Sequence, residues 1–191
     1  MSRLYPFFLL LCAALPVQAD WYLDNESSRL SFISSKQGNL SEVHRFLTLH
    51  GKIDPAGQAL LRIELDSVLT GVPLRDQRMR RMLFEVARHP EATVAARLDP
   101  GPITSLAPGA QQELRLPLSL TLHGRSHRFT AELLATRLDA HRFQVVTLKP
   151  LVLQAADFDL LPGIERLRES AGLSVISPSV PVTAVLIFEE R

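Results

Sequence analysis

The sequence predicts an all-β fold, an antiparallel barrel of about eight strands with one amphipathic helix across it and a short second helix. Three observations predict it. Apolar and polar residues alternate through run after run, the period of a strand with one face in a core. Tight-turn signals join several of these runs, at Asp54-Pro55-Ala56-Gly57, Gly124-Arg125 and Asp139-Ala140. Helical periodicity is sustained only once at length, so there is no βαβ alternation, and closing the sheet on itself removes its exposed edges.

The first segment stands outside that fold. Met1-Ser2-Arg3 is a short positive start, and Phe7 to Leu15 is an uninterrupted apolar run. That run is too short for a bilayer span, which needs ~20 residues. Val17-Gln18-Ala19 places small residues before Asp20, so residues 1–19 read as a cleaved signal peptide and residues 20–191 as one domain. The only cysteine, Cys12, falls in the discarded segment. The exported chain therefore has no disulfide, no thiol nucleophile and no cysteine metal ligand. Removing Arg3 leaves 20 basic against 20 acidic residues. A neutral chain of about 172 residues can build a real core and gives no reason to expect a nucleic-acid partner.

Taken in order, Leu30 and Phe32 begin the first long strand, and Lys36-Gln37-Gly38-Asn39 turns it. From His44 to Ile53 the odd positions Leu47, Leu49, Gly51 and Ile53 make an inward face, which Phe46 interrupts, predicting a bulge or an outward aromatic. The next strand carries Leu61, Ile63 and Leu65 against Arg62, Glu64 and Asp66. The period then changes: Met79, Met82, Leu83 and Val86 predict one helix over 74–88, stopped by His89-Pro90. Ala92, Val94, Ala96 and Leu98 form a strand, and a Pro- and Gly-rich loop over 99–109 follows. Leu114 to Leu122 alternates most cleanly, with Pro117 marking an edge or bulge. Phe129 to Leu133 and Phe143 to Thr147 return in turn. Asp157 to Pro162 is loop, Ile164 to Ala171 a short helix ended by Gly172, and Val180 to Phe188 the last strand.

The helix over 74–88 has two readings. Its methionines suit a plain core lid or an adaptable cavity lining. Arg75, Arg78, Arg80, Arg81 and Arg88 suit a solvated face or an anion-receiving collar. Six histidines occur, of which His44 and His50 would share a strand face and His123 and His127 flank a turn; none has the spacing of a metal site. Glu42 with His44, or Asp76 near Arg78, would be the acid/base pairs of an enzyme, but no nucleophile or phosphate-loop motif accompanies them. No catalytic residue, metal or cofactor is assigned. With 6% aromatic residues and inward rows of Leu, Val and Ala, such a barrel is compatible with either a filled interior or a ligand cavity.

The residues also resemble a family. Trp21-Tyr22-Leu23-Asp24 with Ser28-Arg29-Leu30-Ser31-Phe32 looks like the opening of the YceI-like family, polyisoprenoid-binding proteins exported by bacteria. Ile63 to Thr70 looks like its strand ending in D-S-(V/I)-x-T. Arg75-Asp76-Gln77-Arg78-Met79, Leu83-Phe84-Glu85 and His89-Pro90-Glu91-Ala92 are similar to its R-(D/N)-x-R-M, (L/F)-F-(E/D) and aromatic-Pro steps, and Leu118 to Gly124 to its L-T-(L/I)-x-G strand. Ser41 to Phe46 and His89 depart from the family's pattern at the pocket mouth. The resemblance implies a periplasmic, non-enzymatic, lipocalin-like barrel, often a homodimer, holding an isoprenoid quinone tail or polyprenyl lipid.

On that reading the pocket is lined by Phe32, Leu49, Ile63, Leu65, Met79, Met82, Leu83, Val94, Leu118, Leu120 and Leu186, with Arg75 and Arg78 meeting a polar head. The rival is an envelope stress-response interaction protein whose barrel is filled and takes no lipid.

Overall fold

A computed structural model of the chain describes residues 20–191; the expected signal peptide, residues 1–19, lies outside the described residues. In chain order the elements are β1 Trp21–Leu23, β2 Arg29–Lys36, β3 Leu40–Phe46, β4 Leu49–Ile53, β5 Gln58–Glu64, β6 Val68–Leu69, α1 Pro73–Arg78, β7 Glu91–Arg97, α2 Gly101–Thr104, β8 Gln111–Leu122, β9 Arg125–Arg137, β10 Arg142–Thr147, β11 Leu151–Gln154, α3 Leu161–Ser170 and β12 Ser179–Glu190. Every pairing among them is antiparallel. The order β1-β4-β5-β7-β8-β9-β10-β12 closes because β12 also pairs with β1, giving a barrel of eight strands.

The long strand β12 runs the height of the barrel and shows that its two ends differ. Phe188 to Glu190 pair with β1, and Val182 to Val185 with β2. On the other edge β10 meets Val185 to Glu189, and β11 meets Ser179 to Val182. At the β2–β3–β11 end the ring opens. Among the described residues β3 pairs onward with β6 rather than β5, and β11 pairs only with β12. Two helical segments roof this open end. One is α1 and the turn after it; the other is α3, preceded by a 3₁₀ turn Ala155–Phe158.

The expected helix over 74–88 is shorter and irregular. Helix α1 ends at Arg78 and passes into a π turn, Met79–Leu83, in which the Phe84 N–H donates to the Met79 carbonyl at 2.9 Å. A π turn spends an extra residue per turn and so shifts the buried stripe. Phe84 becomes buried with Met79, while Met82 is rotated away from the core. Glu85 then takes a left-handed conformation, φ 49°, and the helix stops before His89-Pro90.

The His44 to Ile53 stretch is two strands rather than one. The phase changes at Leu47 and Thr48, whose N–H groups both donate to Ser67 Oγ at 3.1 Å. Even positions His44 and Phe46 face inward on β3, and odd positions Leu49 and Ile53 on β4. Phe46 is therefore neither bulged nor outward. Leu47, which the alternation places inward, is exposed. The expected loop over 99–109 contains α2, which buries Ile103, and the expected loop over 157–162 begins inside the 3₁₀ turn that buries Phe158. Pro117 lies just past the β7–β8 ladder, which ends at Ala96 and Leu118, so its missing N–H breaks no bond there.

The end of the barrel at β1 and β10 is solid. Trp21 packs against Phe143 with ring centroids 4.8 Å apart, and Phe143 stacks on Phe188 at 5.3 Å. The buried Arg137 guanidinium lies 5.2 Å from the Trp21 ring and donates to the Ala140 carbonyl. Gly51 is needed here: a Cβ would come within 2.9 Å of the Leu23 Cβ.

Candidate functional site

Between the roof and the solid end lies an apolar cavity of about 660 Å³. Its barrel wall comes from β2 (Leu30, Phe32), β5 and the turn after it (Ile63, Leu65), β7 (Ala92, Val94), β8 (Leu120, Leu122), β11 (Leu151, Leu153) and β12 (Val180, Val182). The roof adds Leu74, Met79, Leu83 and Phe84 from one side and Ile164 and Leu167 from the other, with Phe158 and Leu160 beneath α3. The interior at this end is thus not filled.

The two roof segments meet closely. A Cβ on Gly163 would lie 2.8 Å from the Met82 carbonyl oxygen and 2.9 Å from the Leu83 Cα, so only glycine lets α3 rest on the π turn. Arg166 on the next turn of α3 donates to the Met82 carbonyl at 2.7 Å and pairs with Glu85 at 3.0 Å. The carbonyls that a π turn frees are in this way partly satisfied from α3.

Polar groups gather at one side of the cavity, on β2, β3 and α1. The Glu42 carboxylate accepts from Lys36 at 2.7 Å and from Arg75 at 2.6 Å. Those two donors, Lys36 first, hold its pKa below the usual carboxylate range despite burial. Arg75 also donates to the Thr70 carbonyl at 2.8 Å. His44, only 3% exposed, bonds Ser34 Oγ through Nε2 at 2.8 Å. Burial pushes its pKa down, and the Arg75 charge adds to this, so the imidazole is neutral at neutral pH. His44 Nδ1 and Arg75 Nε are enclosed with no hydrogen-bond partner among the described residues. Arg78 lines the cavity and makes no ion pair or side-chain hydrogen bond among the described residues. Lys36, Arg75 and Arg78 against Glu42, with the buried Asp76 carboxylate behind them occupied by Thr70, leave this side of an otherwise apolar chamber positive by one charge.

Of the residues the sequence nominates, Phe32, Ile63, Leu65, Met79, Leu83, Val94 and Leu120 line the cavity, as do Arg75 and Arg78. Four do not. Leu49, 1% exposed, is packed wholly into the core where β3 gives way to β4. Leu118 and Leu186 face inward but lie farther along β8 and β12, toward the solid end; Leu186 pairs with Val145, two residues from the aromatic stack. Met82 is turned out by the π turn. The acid/base pairs do not form either: Glu42 is held by cations rather than His44, and Asp76 accepts from the Thr70 N–H at 2.8 Å and from the Thr70 hydroxyl. His50 does not share a face with His44 because the strand breaks between them; it is exposed, 2.8 Å from Glu64. No cluster of three potential metal ligands exists among the described residues.

Several lining residues escaped the sequence reading. Phe46 and Phe84 were hidden by phase changes that only packing decides. Val180, Val182, Ile164 and Leu167 did carry the right periodicity, but nothing local says which part of an inward row borders open space.

A closed antiparallel barrel with one solid end and a roofed apolar chamber has the architecture of a small-ligand binding protein. The family model for the YceI-like domain matches residues 21–188, and the chain belongs to that family. It is similar to a polyisoprenoid binding domain from Saccharophagus degradans implicated in plant cell wall breakdown, at 41% identity over 91% of this chain and 100% of that one, with a TM-score of 0.89. BcnA of Burkholderia cenocepacia shares the fold at 18% identity, covering 86% of this chain and 98% of that one, TM-score 0.66. A Campylobacter jejuni YCEI protein does so at 12% identity, covering 78% and 84%, TM-score 0.55. No curated protein matches the sequence significantly. Among the described residues no helix is long and apolar enough to cross a membrane.

Proposed function

We propose that this chain is an exported, periplasmic, non-enzymatic binding protein that holds a long apolar lipid of the isoprenoid class, such as a quinone tail or polyprenyl chain. The observation that carries this reading is the cavity of about 660 Å³, walled by aliphatic and aromatic side chains and positive on one side. Its size falls within the roughly 300–1,000 Å³ of small-molecule sites. Shielding a flexible tail there contributes about 0.8 kcal/mol per buried CH₂, without directional bonds. The polar head belongs beside Arg75 and Arg78, where an enclosed guanidinium N–H and the imidazole of His44 still have hydrogen bonds to make. The 41% identical polyisoprenoid binding domain supports the ligand class.

Solvent extraction of protein purified from its host, followed by mass spectrometry, should release an isoprenoid lipid, and stripped protein should take up a fluorescent isoprenoid analogue. Val94→Phe, which puts a ring into the chamber, should abolish that uptake while the protein stays folded. A chain that yields no lipid and takes up no analogue would refute the reading.

A further inference from the structure

We propose a second binding site, for the phosphate group of a small water-soluble anion, on the outer side of the roof. A polar cleft of about 360 Å³ opens where the β8–β9 turn meets the π turn and the start of α3. Leu83 borders both this cleft and the lipid chamber, so one layer of side chains separates them.

The backbone is strained around it. Four non-glycine residues have positive φ among the described residues, and three of them line this cleft: Glu85 at 49°, His123 at 51° and Asp159 at 57°. Left-handed non-glycine residues persist only where surrounding structure imposes them, and they cluster at ligand sites. The cleft also holds donors in excess of acceptors. Arg88 and Arg166 each pair with the Glu85 carboxylate at 3.0 Å, one on each of its oxygens, so that carboxylate is already engaged. Arg125 makes no ion pair and no side-chain hydrogen bond among the described residues. His123 Nε2 is enclosed without a hydrogen-bond partner, and the nearest carboxylate oxygen, on Glu85, is 3.9 Å away, beyond bonding reach. His89, which stands where the family resemblance leads one to expect an aromatic, lies with its ring 4.4 Å from that of His123. Helix α3 starts at the cleft with Pro162 in its first turn and no side-chain cap, so its positive end is also turned there.

Three guanidiniums against two carboxylates make the cleft net positive, and no cluster of three potential metal ligands exists among the described residues, so an oxyanion suits it better than a metal cation; the His123 nitrogen contributes as a donor when it carries the proton. Phosphate matches because its oxygens accept from several divergent donors at once, and the guanidinium fork suits it. Arg125 and His123 are the primary contacts. Asp159 has no ion-pair partner among the described residues. It would repel bare phosphate and accept from a hydroxyl, which favours a polyol phosphomonoester over the inorganic ion.

Histidine Hε1 resonances and calorimetry at fixed ionic strength test this with sn-glycerol 3-phosphate, inorganic phosphate and glycerol. The expected result is saturable binding of a phosphate species that shifts His89 and His123 and leaves His50 and His141 unmoved. Arg125→Gln, at an exposed side chain, should weaken it by roughly tenfold or more at unchanged thermal midpoint, and so should His123→Asn, which tolerates the left-handed backbone, in whatever fraction stays folded. Tighter binding of glycerol 3-phosphate, lost in Asp159→Asn, identifies the ester; equal binding of inorganic phosphate identifies the free ion. No saturable binding, uniform shifts of all histidines, or affinity unchanged in both folded variants would overturn the proposal.

Discussion

The two ends of this barrel share the long strands β8 and β12 and draw on much the same residue types, yet one is solid and the other hollow. At the solid end the ring is continuous. β1 is hydrogen-bonded on both edges, Trp21, Phe143 and Phe188 stack across the interior, and a glycine lets β4 approach β1. At the hollow end the ring splits, and helical segments rather than strands cover the gaps. Strands alone bring inward rows close enough to interdigitate; a roof carried on a π turn and a short helix holds them apart. The comparison teaches that stability and binding are placed at opposite ends of one fold.

Substitutions at matched positions should separate the two. Phe143→Ala removes the middle ring of the stack and leaves a void that β-strands cannot close. It should cost about 3–5 kcal/mol in urea unfolding. Phe32→Ala, at a residue that already borders open space, should cost clearly less, and equal losses would show that the hollow end is not hollow in solution. The reverse substitution sharpens the contrast. Ala135, at 0% exposure, has no room, so Ala135→Phe should destabilise by about 1–3 kcal/mol or prevent folding. Val94→Phe should fall within about 1.5 kcal/mol of the parent, its effect appearing as lost lipid uptake instead.

Much of this was legible in the chain, for reasons that separate the two ends. A strand's period of two is local, so the inward rows of β5, β7, β8 and β12 could be read from residues such as Ile63, Val94, Leu120 and Leu186. Turn residues fixed the hairpins at Gly57 and Gly124. The helix was legible only as a period. Its π turn is braced by α3, whose Arg166 meets the Met82 carbonyl 84 residues away in sequence, and no local period shows that Phe84 turns in and Met82 out. The split between β3 and β4 depends on Ser67 receiving two N–H groups, again a distant contact. Whether an inward leucine borders a cavity or a core is a property of the whole packing, and Leu118 and Leu120 cannot be told apart by type.

The joint of the roof offers a smaller perturbation. Gly163→Ala pushes a methyl against the Met82 carbonyl and the Leu83 backbone, and neither is a flexible side-chain end. The expected cost is about 1–3 kcal/mol, borne by the roof. Hydrogen exchange should quicken in α1, the π turn and α3 and stay unchanged in β1, β10 and the adjoining end of β12. Faster exchange everywhere would show that the two ends unfold as one unit.

The finest distinction is in pH. At the hollow end His44 is buried and neutral, with its pKa depressed by burial and by Arg75. Below its ordinary pKa of about 6.5 the unfolded chain takes up a proton that the folded imidazole refuses. The stability it supports is therefore complete above that pH and is lost as pH falls through the depressed folded value. Glu42, whose pKa Lys36 and Arg75 lower, acts in the same direction in a more acid window: its contribution holds above the ordinary carboxylate range and fades as pH falls through its own lowered value. Urea midpoints between about pH 7 and pH 5 should thus decline more steeply in the parent than in His44→Gln, which keeps a partner for Ser34 without a titrating group. His89 is depressed as well, by burial first and the neighbouring His123 second, so the difference between the two curves, not either slope alone, isolates His44. Parallel curves would mean that the polar side of the chamber is wet enough for His44 to charge freely.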